Sequence, residues 1–149
     1  MKTKVNEIKI SYREKSKITH RLKICSSKDA ANILFSQWDK DNIELQETFK
    51  MLLLNNSNKV KAIFTLSVGG ITGTLVDIRI LFAVLLKSLT TAVILAHNHP
   101  SGILKPSEAD KRLTQKVKKA GELLDIKVLD HLILVPDGNY YSFADEGIL

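Results

Sequence analysis

Apolar and polar residues alternate along this chain with two different periods, and each period marks a kind of element. Ala30, Ile33, Leu34 and Trp38 recur at helical spacing behind Ser26-Ser27-Lys28-Asp29, a stretch able to cap a helix, which predicts a helix over 28–38. After a polar connection over 39–46, residues 47–55 (ETFKMLLLN) have the apolar density of a strand that becomes fully buried toward its end. Asn55-Asn56-Ser57-Asn58 marks a turn, and 59–68 alternates as the partner strand of a hairpin, with Val60, Ala62, Phe64 and Leu66 on one face. Gly69, Gly70 and Gly73 punctuate the loop that follows. Asp77 is placed to cap a helix over 78–89, whose apolar residues cover more than one stripe and so predict a helix sandwiched between layers. Thr91 to Ala96 is a short apolar run suited to a strand covered on both faces. A third helix over 107–124 carries Leu113, Val117, Ala120 and Leu124 on one face. A strand over 126–135, a Pro136-Asp137-Gly138-Asn139 turn and a short strand over 140–143 complete the pattern. At the other end, Ile8, Ile10 and Tyr12 alternate within a polar, basic segment and predict one half-buried edge strand.

The order helix, hairpin, helix, strand, helix, hairpin predicts an α/β chain with a mixed sheet and helices on both faces. With 149 residues and 44% apolar content, one domain is expected. It is placed over 27–149, with 1–26 as a basic N-terminal extension or edge strand. Lys and Arg exceed Asp and Glu by 22 to 16, a net charge of +6 that permits contact with an acidic partner without demonstrating one. The single cysteine, Cys25, excludes an intrachain disulfide and any metal site built on several thiolates. No stretch has the apolar length of a signal-peptide core or a membrane span, so a soluble, cytoplasmic protein with no membrane contact is expected.

The chemistry concentrates in TAVILAHNHPSGILKPSEAD, residues 91–110. If the extended conformation persists past Ala96, His97 and His99 point to one side and Asn98 to the other. Asp110 lies three residues before Leu113 on the inward stripe of its helix, where a carboxylate is costly unless a cation, a metal or backbone donors satisfy it. Taken singly, each residue has an ordinary reading. A histidine is commonly a structural hydrogen-bonding residue, Ser107 and Asp110 match a capping box, and Glu47 could be a solvated surface charge. Together, His97, His99 and Asp110 supply an N, N, O ligand set of the kind that holds catalytic Zn2+ with one position open. Glu47 is the candidate base, and Ser107, at a helix start, the candidate donor to a developing oxyanion.

His97-Asn98-His99-Pro100, six further residues, then Ser107-Glu108-Ala109-Asp110 resembles the JAMM signature of JAB/MPN metalloproteases. More closely, LLLNNSNKV, GTLVD, AVILAHNHPSG, PSEAD, LLDIKVLDHLIL and YYSFADEG resemble the RadC branch, over roughly residues 27–149. The resemblance implies a cytidine-deaminase-like fold, zinc on His97, His99 and Asp110, Glu47 as general acid and base, Ser107 as oxyanion donor, and hydrolysis of a peptide or isopeptide bond. His131, in LDHLIL, recurs in the family and is read as structural or supporting. Two features depart from it. Many RadC-like proteins carry an N-terminal helix-hairpin-helix region, and none is expected in these 149 residues. The family's His-Pro-Arg-Glu motif appears as Asp77-Ile78-Arg79-Ile80, with only the arginine kept.

Other readings are weaker or of another class. Nucleobase deamination calls for a Cys-x-x-Cys pair and a His-x-Glu, neither of which is present. The contiguous HNH triplet is not the spaced arrangement of HNH nucleases. The competing reading is a non-enzymatic or DNA-associated accessory protein, for which Lys111, Arg112, Lys116, Lys118 and Lys119 form a basic helix face. A solvated face opposite an apolar stripe explains the same charges. Oligomerisation is left open.

Overall fold

The computed structural model describes residues 3–15, 17, 21–70 and 75–149. Its elements are α1 (Ser27–Ser36), β1 (Thr48–Leu54), β2 (Val60–Val68), α2 (Ile78–Lys87), β3 (Ala92–Asn98), α3 (Glu108–Leu123), β4 (Lys127–Leu134) and β5 (Tyr140–Ser142). The strands form one mixed sheet in the order β2-β1-β3-β4-β5. β3 lies at its centre, antiparallel to β1 and parallel to β4, with α3 as the crossover between β3 and β4.

Strand periodicity divides the core into two layers. On one face Leu52, Leu54, Ala92, Ile94, Ala96, Leu132 and Leu134 pack against Ala30, Ala31 and Leu34 of α1, together with Trp38 and Ile43. On the other, Met51, Leu53, Val93, Leu95 and Val128 pack against Leu81, Phe82 and Leu85 of α2 and Val117 of α3. β3 is therefore buried over its whole length, as its unbroken apolar run requires. At the head of α1, Ser26 and Asp29 form a reciprocal capping box, and Asp77 caps α2 through the Arg79 N–H.

Four expectations are corrected. Ile8 and Ile10 are 88% and 83% exposed, and the segment around them forms no strand. Three apolar side chains among lysines bury too little surface to offset the entropy of ordering. The start of the β2 edge is met instead by Leu22 to Ile24, with Val60 N–H donating to the Leu22 carbonyl and Ile24 N–H to that of Asn58. In β2, register shifts leave Leu66 and Lys61 as extra residues against β1, so Val60 faces the α1 layer with Ile63 while Phe64 and Leu66 face the other. Among the described residues the helix α2 is covered on one side only. Ile80 and Leu86 stay half exposed, and Leu89, in the left-handed region at φ 52°, lies beyond the helix end. The inward stripe of α3 is rotated by about one residue, so that Thr114, Val117 and Gly121 are buried and Leu124 is exposed. A Cβ on Gly121 would stand 2.5 Å from the Ile126 carbonyl oxygen, so the packing of α3 against the residue leading into β4 requires a glycine there. Gly73 lies outside the described residues. No helix among those residues is long and apolar enough to cross a membrane.

Candidate metal centre

The first two ligands are set by β3. His97 is directly opposite Phe49 of β1 and Ile133 of β4, and its ring lies parallel to that of Phe49 at 6.1 Å between centroids. The His99 N–H donates to the Leu134 carbonyl at 2.9 Å, so the β3–β4 ladder continues one step past the strand and keeps the backbone extended. Both imidazoles consequently converge, with their Nε2 atoms 3.0 Å apart. The chain then reverses at Gly102, in the left-handed region at φ 82°, and His99 Nδ1 comes within 2.6 Å of the Ile103 carbonyl.

The third candidate ligand comes from the start of α3. Ser107 Oγ accepts the Asp110 N–H at 3.0 Å, and Asp110 Oδ2 accepts the Ser107 N–H at 2.8 Å. The same Oδ2 stands 3.5 Å from His97 Nε2 and 3.6 Å from His99 Nε2. Capping and cation binding are therefore not alternatives here, because the capping geometry is what aims the carboxylate at the histidines. One ligand atom from each of His97, His99 and Asp110 falls within 4.8 Å of the others, so the cluster is able to hold a metal ion.

The hydrogen-bond network assigns the protons. Thr114 Oγ1 donates its one proton to the Asp110 carbonyl at 2.7 Å, so it accepts at 2.6 Å from His131 Nδ1. His131 is then an acceptor at Nε2, and His97 donates to it from Nδ1 at 2.8 Å. That leaves His97 Nε2 as a lone pair. His99, whose Nδ1 must donate to the Ile103 carbonyl, in its neutral form also presents a lone pair at Nε2. Two lone pairs 3.0 Å apart beside a carboxylate oxygen repel unless a cation joins them, and this donor set therefore fits a divalent metal.

The electrostatics agree. Burial works against a charge on His99, yet hydrogen bonding to Asp110 and to the Ile103 carbonyl outweighs it and raises the imidazole above its ordinary value. Burial would likewise raise Asp110, but the imidazoles of His97 and His99 beside it hold its carboxyl far below the usual carboxylate range. The site thus draws in a positive charge, a proton when nothing else is bound. His131, fully buried, is pushed well below an ordinary imidazole by burial and by the neighbouring His97 imidazole.

Glu47 immediately precedes β1 and is half-buried. Its N–H donates to the Gly70 carbonyl at 3.1 Å and its carbonyl accepts from Gly69 N–H at 2.7 Å, which extends the β1–β2 ladder by a residue. With Glu44, His99, Pro100, Ser101, Ile103 and Lys105 it lines an open cleft of about 570 Å³. Burial raises its carboxyl above the ordinary value, opposed by the neighbouring imidazoles of His97 and His99. Ser107 is exposed, and capping uses its oxygen only as an acceptor, which leaves the hydroxyl proton available.

Sequence reasoning missed Thr114. A threonine beside Leu113 on a helix gives no local signal, since its partner His131 lies 17 residues further on. The departing segment is accounted for simply: Arg79 turns back to Asp77 at 3.2 Å and is otherwise solvated. On the outer face of α3, Lys111, Arg112, Gln115, Lys116 and Lys119 line a shallow groove of about 370 Å³, whereas Lys118 turns to the Leu149 carbonyl.

Comparison with known proteins bears on the whole of this arrangement. The family model for the RadC-like JAB domain matches residues 24–148. A UPF0758 protein of Flavobacterium johnsoniae is 54% identical over 127 residues, covering 85% of this chain and 53% of the relative. One from Porphyromonas gingivalis is 50% identical over 104 residues (70% of this chain, 46% of the relative), and one from Alkaliphilus metalliredigens 37% over 134 residues (90% and 56%). The chain spans about half the length of these curated relatives. The match takes in every strand and helix of the sheet and the His97, His99 and Asp110 cluster at its centre, and the chain accordingly belongs to the RadC-like JAB domain family.

Proposed function

We propose that this chain is a zinc-dependent hydrolase of the JAMM type, acting on a peptide or isopeptide bond. The observation that carries this reading is the convergence of His97 Nε2, His99 Nε2 and Asp110 Oδ2 beside an open cleft that also contains Glu47. His97, His99 and Asp110 would hold the ion, which when bound supplies a Lewis acid able to activate water near neutral pH. Glu47, with a carboxyl raised by burial, takes the water's proton and returns it to the leaving amine. The Ser107 hydroxyl donates to the substrate carbonyl oxygen as negative charge develops on it. The cleft lined by Glu44, Ile103 and Lys105 receives the chain on either side of the scissile bond.

The test combines metal analysis with a base variant. About one zinc per chain is expected, lost in His97→Ala, as for a three-ligand catalytic site. Glu47→Gln should keep the metal and abolish cleavage of linear and isopeptide-linked peptides. A fully active Glu47→Gln protein removes Glu47 from the mechanism, and a wild-type protein that takes up no metal removes the reading altogether.

A second reading has its own observation, the cationic groove on α3. In it the domain is a DNA-associated accessory module that binds through Lys111, Arg112, Lys116 and Lys119. Its mark is salt-dependent DNA binding that survives Glu47→Gln and disappears when these four charges are reversed.

A further inference from the structure

The residue between the two candidate ligands points away from them, and its side chain is committed to the segment that carries Glu47. Asn98 is fully buried on the α1 side of the sheet. Its carbonyl oxygen accepts the Thr48 N–H at 2.7 Å, while its amide donates to the Ile43 carbonyl at 2.8 Å and the Gln46 carbonyl at 3.0 Å. One backbone donor and two backbone acceptors leave a single orientation of the amide that satisfies them all. Both protons of the amide are used.

The partners are informative. Gln46 and Thr48 flank Glu47, so Asn98 holds the peptide groups on both sides of the residue proposed to move the proton. Residues 39–46 form turns with no regular ladder of their own. The Glu47 backbone is also held by Gly69 and Gly70, but those bonds tie it to β2, away from the ligands. The Asn98 bonds tie it to the strand that carries His97 and His99. We propose that Asn98 is a positioning residue that fixes the Glu47 carboxylate relative to the metal ligands, so that strand β3 sets both the metal site and the distance to its base. This rests on the reading of Glu47 as the proton-handling residue.

The chemistry restricts what can replace it. Aspartate presents no protons to the Ile43 and Gln46 carbonyls and places a charge against both. Leucine fills the space but leaves three buried backbone groups without partners.

The experiment compares wild type, Asn98→Ala, the smaller polar Asn98→Ser and Glu47→Gln, each as the full chain and loaded with Co2+ as the probe. Amide exchange over residues 46–48 should be roughly tenfold or more faster in Asn98→Ala, reflecting the lost buried hydrogen bonds. Co2+ affinity should stay within about threefold of wild type, against the roughly 10–100-fold loss expected when a ligand's own hydrogen-bond partner is removed. The visible spectrum of the Co2+-loaded variant should shift in the direction seen for Glu47→Gln, a response that loss of stability alone does not produce. Asn98→Ser serves the same comparison if the alanine variant does not fold. Unchanged exchange at 46–48, or a loosened segment with the wild-type Co2+ spectrum, overturns the proposal. Wild-type protein that binds no Co2+ sinks the hydrolase reading alone, and exchange at 46–48 then decides whether Asn98 holds the segment.

Discussion

His97 Nδ1 lies 2.8 Å from Nε2 of the fully buried His131, and this contact determines which nitrogen His97 turns toward the candidate metal centre. The chain of bonds continues through Thr114 to the Asp110 carbonyl, so one buried network touches two of the three candidate ligands. Three measurements, each on a different part of the site, follow from it.

Thr114→Val keeps the volume but removes the oxygen that accepts from His131 Nδ1. His131 can then turn its proton toward His97 and spoil the tautomer that leaves His97 Nε2 free. Metal affinity, measured against a chelator, should fall by roughly 10–100-fold, with a stability loss of about 1–3 kcal/mol from the unpaired buried group. Ring nitrogen shifts should show a mixture of His97 tautomers. Wild-type affinity in this variant would mean that packing against Phe49, and not the hydrogen bond, orients the ring.

The two duties of Asp110 can be separated. In Asp110→Asn an amide oxygen still accepts the Ser107 N–H, so the α3 cap should survive while metal affinity collapses. Ser107→Ala should do the reverse, costing about 1 kcal/mol of stability through the lost Oγ cap, while the Ser107 N–H that aims the Asp110 carboxylate stays in place and the metal is retained. Thermal unfolding of the metal-free proteins and metal titration read the two effects independently. Equal metal loss in both variants would mean that the carboxylate is aimed only through its cap.

The pH dependence of the metal-free protein has a worked sign. His131 is held below its unfolded value of about 6.5, so as pH falls past that point the unfolded chain takes up a proton that the folded one refuses. Stability should then drop by up to about 1.4 kcal/mol per pH unit. His99 is raised, so its contribution is complete below about 6.5 and is lost as pH rises through its folded value. The Asp110 contribution is present above about 3.9 and fades only below that. Urea unfolding should therefore show greatest stability near pH 6.5, at the boundary of the two histidine windows, and His131→Gln should remove the acid-side slope between about pH 5 and 6.5. A flat profile across that range in wild type would show that His131 accepts a proton without disturbing the network.

Much of the fold is legible in local periodicity. The capping serines, the buried run of β3 and the stripe that carries Asp110 all follow from spacings of two, three and four residues. Reading failed where the cause lies elsewhere in the chain. The extra residue Lys61 in β2 moves Val60 to the opposite face, and that register is decided by pairing with β1. Two-sided apolar content in α2 predicts burial on both sides, but among the described residues one sheet face covers it, and Ile80 and Leu86 remain half exposed. The alternating Ile8, Ile10 and Tyr12 had the period of a strand without the burial to make one.

The same division runs through the site. Strand geometry alone brings His97 and His99 together, because side chains two apart share a face, and helix geometry alone puts Asp110 on an inward stripe next to its serine cap. These are short-range consequences of residue type and spacing. That Asp110 meets the histidines, that Asn98 reaches back 50 positions to the Thr48 amide, and that His131 and Thr114 assign the His97 proton are contacts between elements. No local pattern encodes them, since they exist only once the sheet order β2-β1-β3-β4-β5 has set those elements side by side and burial has left each polar group a single available partner.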